Sequence, residues 1–182
     1  MTTLLLLILL SLPVIYLSRK PLLNYKSHGF YRFFGWEGVI ILFAFNYKYW
    51  FDKPFSPLQI VSWLILIISL IIVIPGFIQM HKRGKASQNR TGKELYGFEK
   101  TTELIDNGIF KYIRHPLYAS LIYLTWGILL KHFTFFLLIV AVITTIFFIA
   151  TMKVEEKENI AFFGDKYLDY MKRSKMFIPL IL

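Results

Sequence analysis

Five apolar stretches, at about residues 2–17, 30–47, 57–79, 116–130 and 133–152, take up most of a chain of 182 residues. A helix rises about 1.5 Å per residue, so crossing a hydrocarbon layer takes roughly 20 residues. The third and fifth stretches meet that length, the first and fourth are short, and the second carries Glu37 in its interior. Inside lipid each backbone polar group must find its partner within the protein, which selects helices. The pattern predicts an all-α integral membrane protein with about five transmembrane helices. A mean hydropathy of +0.54 and an aromatic share of 18% suit a chain with much of its surface at a bilayer and its headgroup layer.

The net charge of +10 would point to nucleic acid in a soluble protein, but its distribution gives it another meaning. Eighteen of the 21 Lys and Arg residues follow the first apolar stretch, fill the region between the third and fourth, or follow the fifth. The two other connections hold only Lys48, Lys53 and Lys131. By the positive-inside rule the long polar loop and the C-terminal tail are cytoplasmic and the N-terminus is outside. The basic excess is a topology signal that also attracts anionic lipid, and nucleic acid is not among the expected partners. The first stretch has no positive flank before it and no small-residue cleavage site, so it reads as a retained helix kinked at Pro13. Small size and an Ile-, Phe- and Lys-rich composition point to a prokaryotic inner membrane. The whole chain reads as one membrane domain, with three spans in residues 1–80 and a second half, 81–182, that holds the chemistry.

Two polar segments interrupt this pattern. "HKRGKASQNRTGKELYGF" opens the loop from His81 to Asn107, has no sustained helical period, and reads as a loop or lid. In "EEKENIAFFGDKYLDYMKRSKMFIP", residues 155–179, Ile160, Phe163, Tyr167, Tyr170 and Met171 recur at helical spacing. That segment predicts an amphipathic helix at the membrane surface, and the closing "MFIPLIL" is apolar enough to dip into the interface.

The chain has no cysteine, which excludes disulfides and thiolate chemistry, and its four histidines have no pair at helical ligand spacing. No metal site is expected. The turn between the fourth and fifth stretches is little more than Lys131-His132, so those helices must be antiparallel neighbours. Their other ends then meet, bringing Arg114-His115-Pro116 to Glu155-Glu156, beside Pro75, Gly76, Gln79 and His81 at the end of the third stretch. Each residue has an ordinary explanation: a helix-starting proline, topology charges, a belt tyrosine at Tyr118, solvated glutamates. Their convergence on two helices in contact favours a site. Glu37 sits roughly 10 Å into its helix, where a carboxylate faces protein or water, as a functional group or as the partner of Arg32 or another buried cation. Asn46, Ser62 and Ser69 read as hydrogen-bonding residues between helices.

The motif "GIFKYIRHPLY", followed after about 40 residues by "EE" and then by Gly164, Tyr167, Tyr170 and Pro179, covers residues 101–179. It resembles the isoprenylcysteine carboxyl methyltransferase and phospholipid methyltransferase superfamily of integral membrane methyltransferases. The resemblance implies S-adenosylmethionine as cofactor, held without a Rossmann domain at the cytoplasmic ends of the last helices, beneath the loop. It implies that His115, Tyr118 and the backbone from Gly108 to Ile113 line the cofactor pocket, that one or both of Glu155 and Glu156 contact its polar groups, and that Arg114 anchors an acidic substrate group. It implies a membrane lipid or prenylated acceptor. An amine acceptor, as in phospholipid N-methylation, would need a base, for which Glu37 and Glu155 are the candidates. The arginine that carboxyl methyltransferases carry shortly before the terminal proline is replaced by Met176, which weakens carboxyl methylation in particular and leaves methyl transfer standing. Other acceptors, an NADPH-dependent membrane reductase with a related histidine–proline motif, and a non-catalytic membrane protein are the alternatives.

Overall fold

The computed structural model describes residues 2–83 and 101–178. Residues 84–100, most of the expected lid, and 179–182, which include Pro179 and the closing apolar run, lie outside the described residues. The architecture is helical, and each of the five apolar stretches becomes a helix: α1 (Thr2–Ser18), α2 (His28–Asn46), α3 (Pro57–Arg83), α4 (Pro116–Leu129) and α5 (Phe135–Phe163). A sixth, short helix, α6 (Asp165–Arg173), follows. By length and apolar composition α3 and α5 are able to cross a membrane, while α1 and α4 are shorter apolar helices. Leucines and isoleucines such as Leu4, Ile8, Leu64, Ile71, Ile139 and Ile146 are exposed on the outside of this bundle, as membrane association requires.

Local chemistry sets the helix ends. The Ser27 hydroxyl accepts from the Phe30 amide to cap α2, and Thr134 caps α5 through the Leu137 amide. Pro57 and Pro116 open α3 and α4, where the missing N–H has no intrahelical partner to lose. The amphipathic segment departs from expectation. Residues 155–163 continue α5 without interruption, and a separate amphipathic helix exists only from Asp165 to Arg173. Gly164 makes the break, with φ +60 and ψ −138, a conformation other residues rarely adopt.

Packing follows two close approaches. α2 lies on α5 because it presents glycines there: a Cβ on Gly35 would fall 2.5 Å from the Phe148 ring, and one on Gly38 1.9 Å from Thr144 Oγ1 and 3.0 Å from its Cβ. α3 lies on α4 through Gly127, where a Cβ would meet Leu66 at 2.7 Å. Small residues at helix crossings let backbones approach where lipid supplies no hydrophobic drive. The expected interhelical polar contacts are all formed: Ser62 Oγ donates to Gly127 O at 2.6 Å, Ser69 Oγ to Ser120 O at 2.8 Å, and Asn46 Nδ2 to Ile128 O at 2.8 Å.

The α4–α5 turn, residues 130–134, is anchored by Lys131, which is 5% exposed. Its Nζ donates to Gln59 Oε1 at 3.1 Å and stands 3.4 Å from the Trp63 ring centroid. Gln59 Nε2 donates in turn to the Lys131 and Tyr49 carbonyls, both at 3.0 Å.

Gly38→Val should lower the unfolding midpoint in detergent by the equivalent of about 1–3 kcal/mol, the usual range for overpacking. Burial pushes the Lys131 ammonium down to about 8 from an ordinary 10.5. The unfolded chain therefore binds more protons between those two values, so stability rises with pH across that window. A thermal scan from pH 8 to 10 should show a rise in the parent that Lys131→Met lacks.

Candidate functional site

Pro116 disfavours a helical conformation at the residue before it, so His115 stands at the threshold of α4 with φ −122 and ψ 61. The approach to it is a short helical turn, Gly108–Lys111. Gly108 has φ +57, and a Cβ there would sit 1.7 Å from Gln79 Nε2 on α3, so the turn is pressed against that helix. After it the chain runs beside the C-terminal tail. Lys175 N donates to Tyr112 O at 3.0 Å, Arg114 N to Lys175 O at 2.8 Å, and His115 N to Met176 O at 3.1 Å. The tail is thus a strap across the residues that precede α4.

Arg114 ties the strap to α5. Its Nε donates to Glu156 Oε1 at 2.7 Å, and its Nη1 donates to the carbonyls of Ser174 and Met171. The two side chains are 8% and 9% exposed, so water competes little for this pair. His115, also buried, lies between the two glutamates, with Nε2 at 3.5 Å from Glu156 and Nδ1 at 3.9 Å from Glu155. The Nε2 atom is buried and makes no hydrogen bond.

A hollow of about 900 Å³, its open mouth included, lies beside this cluster. His115, Tyr118, Glu155 and Asn159 line it with Phe110, Phe163, Tyr167 and Tyr170, and Arg32 and Trp36 of α2 form another part of its wall. Burial pushes the Tyr167 phenol up, with the Glu155 charge adding to it, and burial does the same to Tyr170. Both remain protonated, and Tyr170 donates to Phe110 O at 2.6 Å, joining α6 to the Gly108–Lys111 turn.

The predicted site residues fall into three groups. His115, Tyr118, Glu155 and Arg114 line the hollow. Glu156 supports it from behind through Arg114 and His115, while Ile113 is in the core and Gly108 is packed on Gln79. Glu37 is elsewhere: it is not among the residues lining the hollow, and its Oε2 accepts from Ser11 Oγ of α1 at 2.6 Å. Its neighbour Trp36 reaches the hollow because consecutive helical residues point about 100° apart. Met176 packs on the Tyr118, Ile122, Phe148 and Met152 cluster, and Arg173 is turned outward to Asp106.

A family model described as phospholipid methyltransferase matches residues 58–166. The chain belongs to the phospholipid methyltransferase family. Among curated relatives, methanethiol S-methyltransferase of Crocosphaera subtropica is 35% identical over 72 residues, which are 40% of this chain and 28% of that protein. Methanethiol S-methyltransferase 1 of Bradyrhizobium diazoefficiens is 28% identical over 118 residues, 65% of this chain and 39% of that protein. Protein-S-isoprenylcysteine O-methyltransferase of Schizosaccharomyces pombe is 38% identical over 82 residues, 43% of this chain and 34% of that protein. The matches thus span 28% to 39% of these relatives' lengths. No solved structure matches the chain. Membership of a methyltransferase family argues against the reductase reading.

The stretch shared with the phospholipid methyltransferases carries His115, Tyr118, Glu155 and Asn159, but Arg32, Trp36, Tyr167 and Tyr170 come from outside it. Asn159 escaped the sequence reading, and Phe163 entered it only as part of the amphipathic face, although a signal was present. They follow Glu155 at i+4 and i+8, on one face of α5.

Removing one partner of a buried ion pair leaves the other charge without compensation. Arg114→Met should therefore cost about 3–5 kcal/mol of stability. Arg114→Met combined with Glu156→Gln should cost clearly less than the two single changes added together. Unfolding midpoints in a double-mutant cycle measure this, and strictly additive values would mean that the pair carries no coupling.

Proposed function

We propose that the protein transfers a methyl group from S-adenosylmethionine to a lipophilic acceptor at the membrane surface. The observation that carries this is one hollow lined by His115, Glu155 and Asn159 together with Tyr118, Phe163 and Tyr167. It lies in a chain of a methyltransferase family.

The residues present fit such a donor. The lining sets the buried imidazole of His115 beside the carboxylate of Glu155, a polar corner in an otherwise aromatic hollow. Glu155 offers a carboxylate to a cationic amine or sulfonium, and Asn159 adds an amide. The Tyr118, Phe163 and Tyr167 rings give flat apolar surfaces for a nucleobase. The bound donor would supply an activated methyl group for in-line displacement, which needs no metal. What remains for the protein is orientation, worth several kcal/mol when the reacting atoms are held in line, and exclusion of water. Glu156 and Arg114 hold His115 in place, and the strap of residues 174–176 fixes the backbone that presents it. Trp36, Leu117 and Leu121 form an apolar wall suited to the lipophilic part of an acceptor. Glu155 is the carboxylate placed to take a proton from an amine or thiol acceptor. In this reading the segments rich in Lys and Arg mark this end of the bundle as the cytoplasmic one.

His115→Ala and Glu155→Gln should each weaken S-adenosylhomocysteine binding at least tenfold, by isothermal titration in detergent, with unfolding midpoints close to the parent's. Parent-like affinity in both variants would remove these residues from the donor site. For the activity itself, membranes containing the protein are given donor with a deuterated methyl group. Mass spectrometry of the lipid extract should then show a labelled product that the His115→Ala membranes lack. No label in any lipid or thiol would sink the reading.

A further inference from the structure

Residues 19–27 carry the chain from α1 to α2 at the end of the bundle where the hollow lies. His28, which follows at once, is fastened to Glu158 of α5, through its amide at 3.0 Å and through Nδ1 at 2.6 Å. By its rise α1 is about 25 Å long, close to the thickness of a hydrocarbon layer. The connection therefore starts where the chain leaves that layer. It also has a defined shape. The Leu23 and Asn24 amides donate to the carbonyls of Lys20 and Pro21, at 3.2 and 3.0 Å, which closes a short helical turn. The Lys26 amide donates to Asn24 Oδ1 at 3.1 Å, and Ser27 Oγ donates to Asn24 O at 2.9 Å. Pro21 is buried, and a Cβ on Gly29 would fall 2.8 Å from its Cβ, so the turn is seated on α2.

The outward side of this turn is apolar at its tip and basic around it. Leu23 is 88% exposed and Tyr25 64% exposed, and Arg19, Lys20 and Lys26 are exposed with them. The Arg19 Cζ stands 4.3 Å from the Tyr16 ring centroid, and the Lys26 Nζ 5.8 Å from that of Tyr25. No Asp or Glu precedes Glu37, so the segment brings no acid of its own to neutralise these cations. A leucine this exposed is out of place in water, and three cations beside it are out of place in hydrocarbon. The boundary between the two suits both: the leucine reaches the acyl chains, the tyrosine rests at headgroup level, and the long basic side chains reach up to the phosphates.

We propose that residues 19–26 bind anionic phospholipid headgroups in the leaflet on the hollow's side, with Leu23 set among the first carbons of the acyl chains. Charge selects the partner. A zwitterionic lipid offers Leu23 the same apolar contact but no net charge to Arg19, Lys20 and Lys26, whereas each basic side chain near an anionic surface strengthens binding roughly fivefold. The loop does not depend on the methyl-transfer reading. It bears on the hollow all the same, because α2 runs from this loop to Trp36 in the wall. The height at which the loop rests in the leaflet is then the height at which α2 presents that wall.

The chain has no cysteine, so Leu23→Cys provides a single attachment point for a bimane fluorophore. The labelled protein is placed in nanodiscs of phosphatidylglycerol and phosphatidylcholine in equal parts, with one lipid or the other brominated near the ester end of its acyl chains. Both brominated lipids should quench the label, and brominated phosphatidylglycerol should do so at least twofold more strongly, because it is enriched around the loop. Arg19→Gln, Lys20→Gln and Lys26→Gln together should make the two lipids quench equally, with an unfolding midpoint close to the parent's. Should that triple variant fold poorly, salt gives the same reading on the intact loop: raising it tenfold should shrink the difference between the lipids. Equal quenching by the two lipids in the parent overturns the proposal, as does a difference that survives both the triple variant and high salt. A label that neither lipid quenches also overturns it, and assigns the surface to a soluble partner instead.

Discussion

A guanidinium just before α4 and a carboxylate on α5 meet at 2.7 Å where little water reaches them. Most of the site depends on that contact. The Arg114–Glu156 pair joins the two helices at the open end of their hairpin, and the same guanidinium holds the carbonyls of Met171 and Ser174. It therefore joins three parts of the chain: the residues before α4, α5, and the end of α6 with the tail. A charge pair with this much burial is expensive to form alone, and the two carbonyls add acceptors for the Nη1 donors. His115, pressed between the two glutamates, takes its position from this arrangement.

The bundle that supports the pair is assembled by close approach more than by bulk. Where lipid surrounds a helix, apolar side chains are no better placed inside than out, so contact depends on small residues and on hydrogen bonds between helices. Gly35 and Gly38 bring α2 onto α5, Gly127 admits Leu66, and Ser62, Ser69 and Asn46 each bond a backbone carbonyl on α4. At the closed end of the hairpin Lys131 sits under Trp63 and against Gln59. At the open end lies the hollow, lined by residues of both helices and of the segments around them. The two ends are complementary: one is filled by a lysine and two tryptophans, the other by groups arranged around empty space.

Several of these features were legible beforehand. The short turn between the last two apolar stretches forced His115 towards Glu155 and Glu156, and the serines and the asparagine within apolar stretches announced contacts between helices. Other features were not. Arg114 carried the expectation of a substrate anchor, yet its partners are a neighbouring carboxylate and the tail's backbone, which no local pattern displays. Glu37 looked functional because it is a carboxylate within an apolar run, and it faces Ser11 of α1 while Trp36 faces the hollow. One residue of helical rotation separates those outcomes. The expected amphipathic helix began too early, because the hydrophobic period of residues 155–171 runs on through Gly164 while the backbone does not.

The amino-acid sequence by itself determined the helical class, the approximate ends of the five apolar helices, and the meeting of the histidine with the glutamate pair. Those follow from backbone hydrogen bonding in lipid and from the few residues available to turn the chain. Only the tertiary structure decided which charges are occupied by one another and which face the hollow. That choice depends on how far each helix is turned about its axis and on where α2 and the tail come to rest. Both are settled by contacts between segments far apart in the sequence, as between His28 and Glu158 or between Arg114 and the tail.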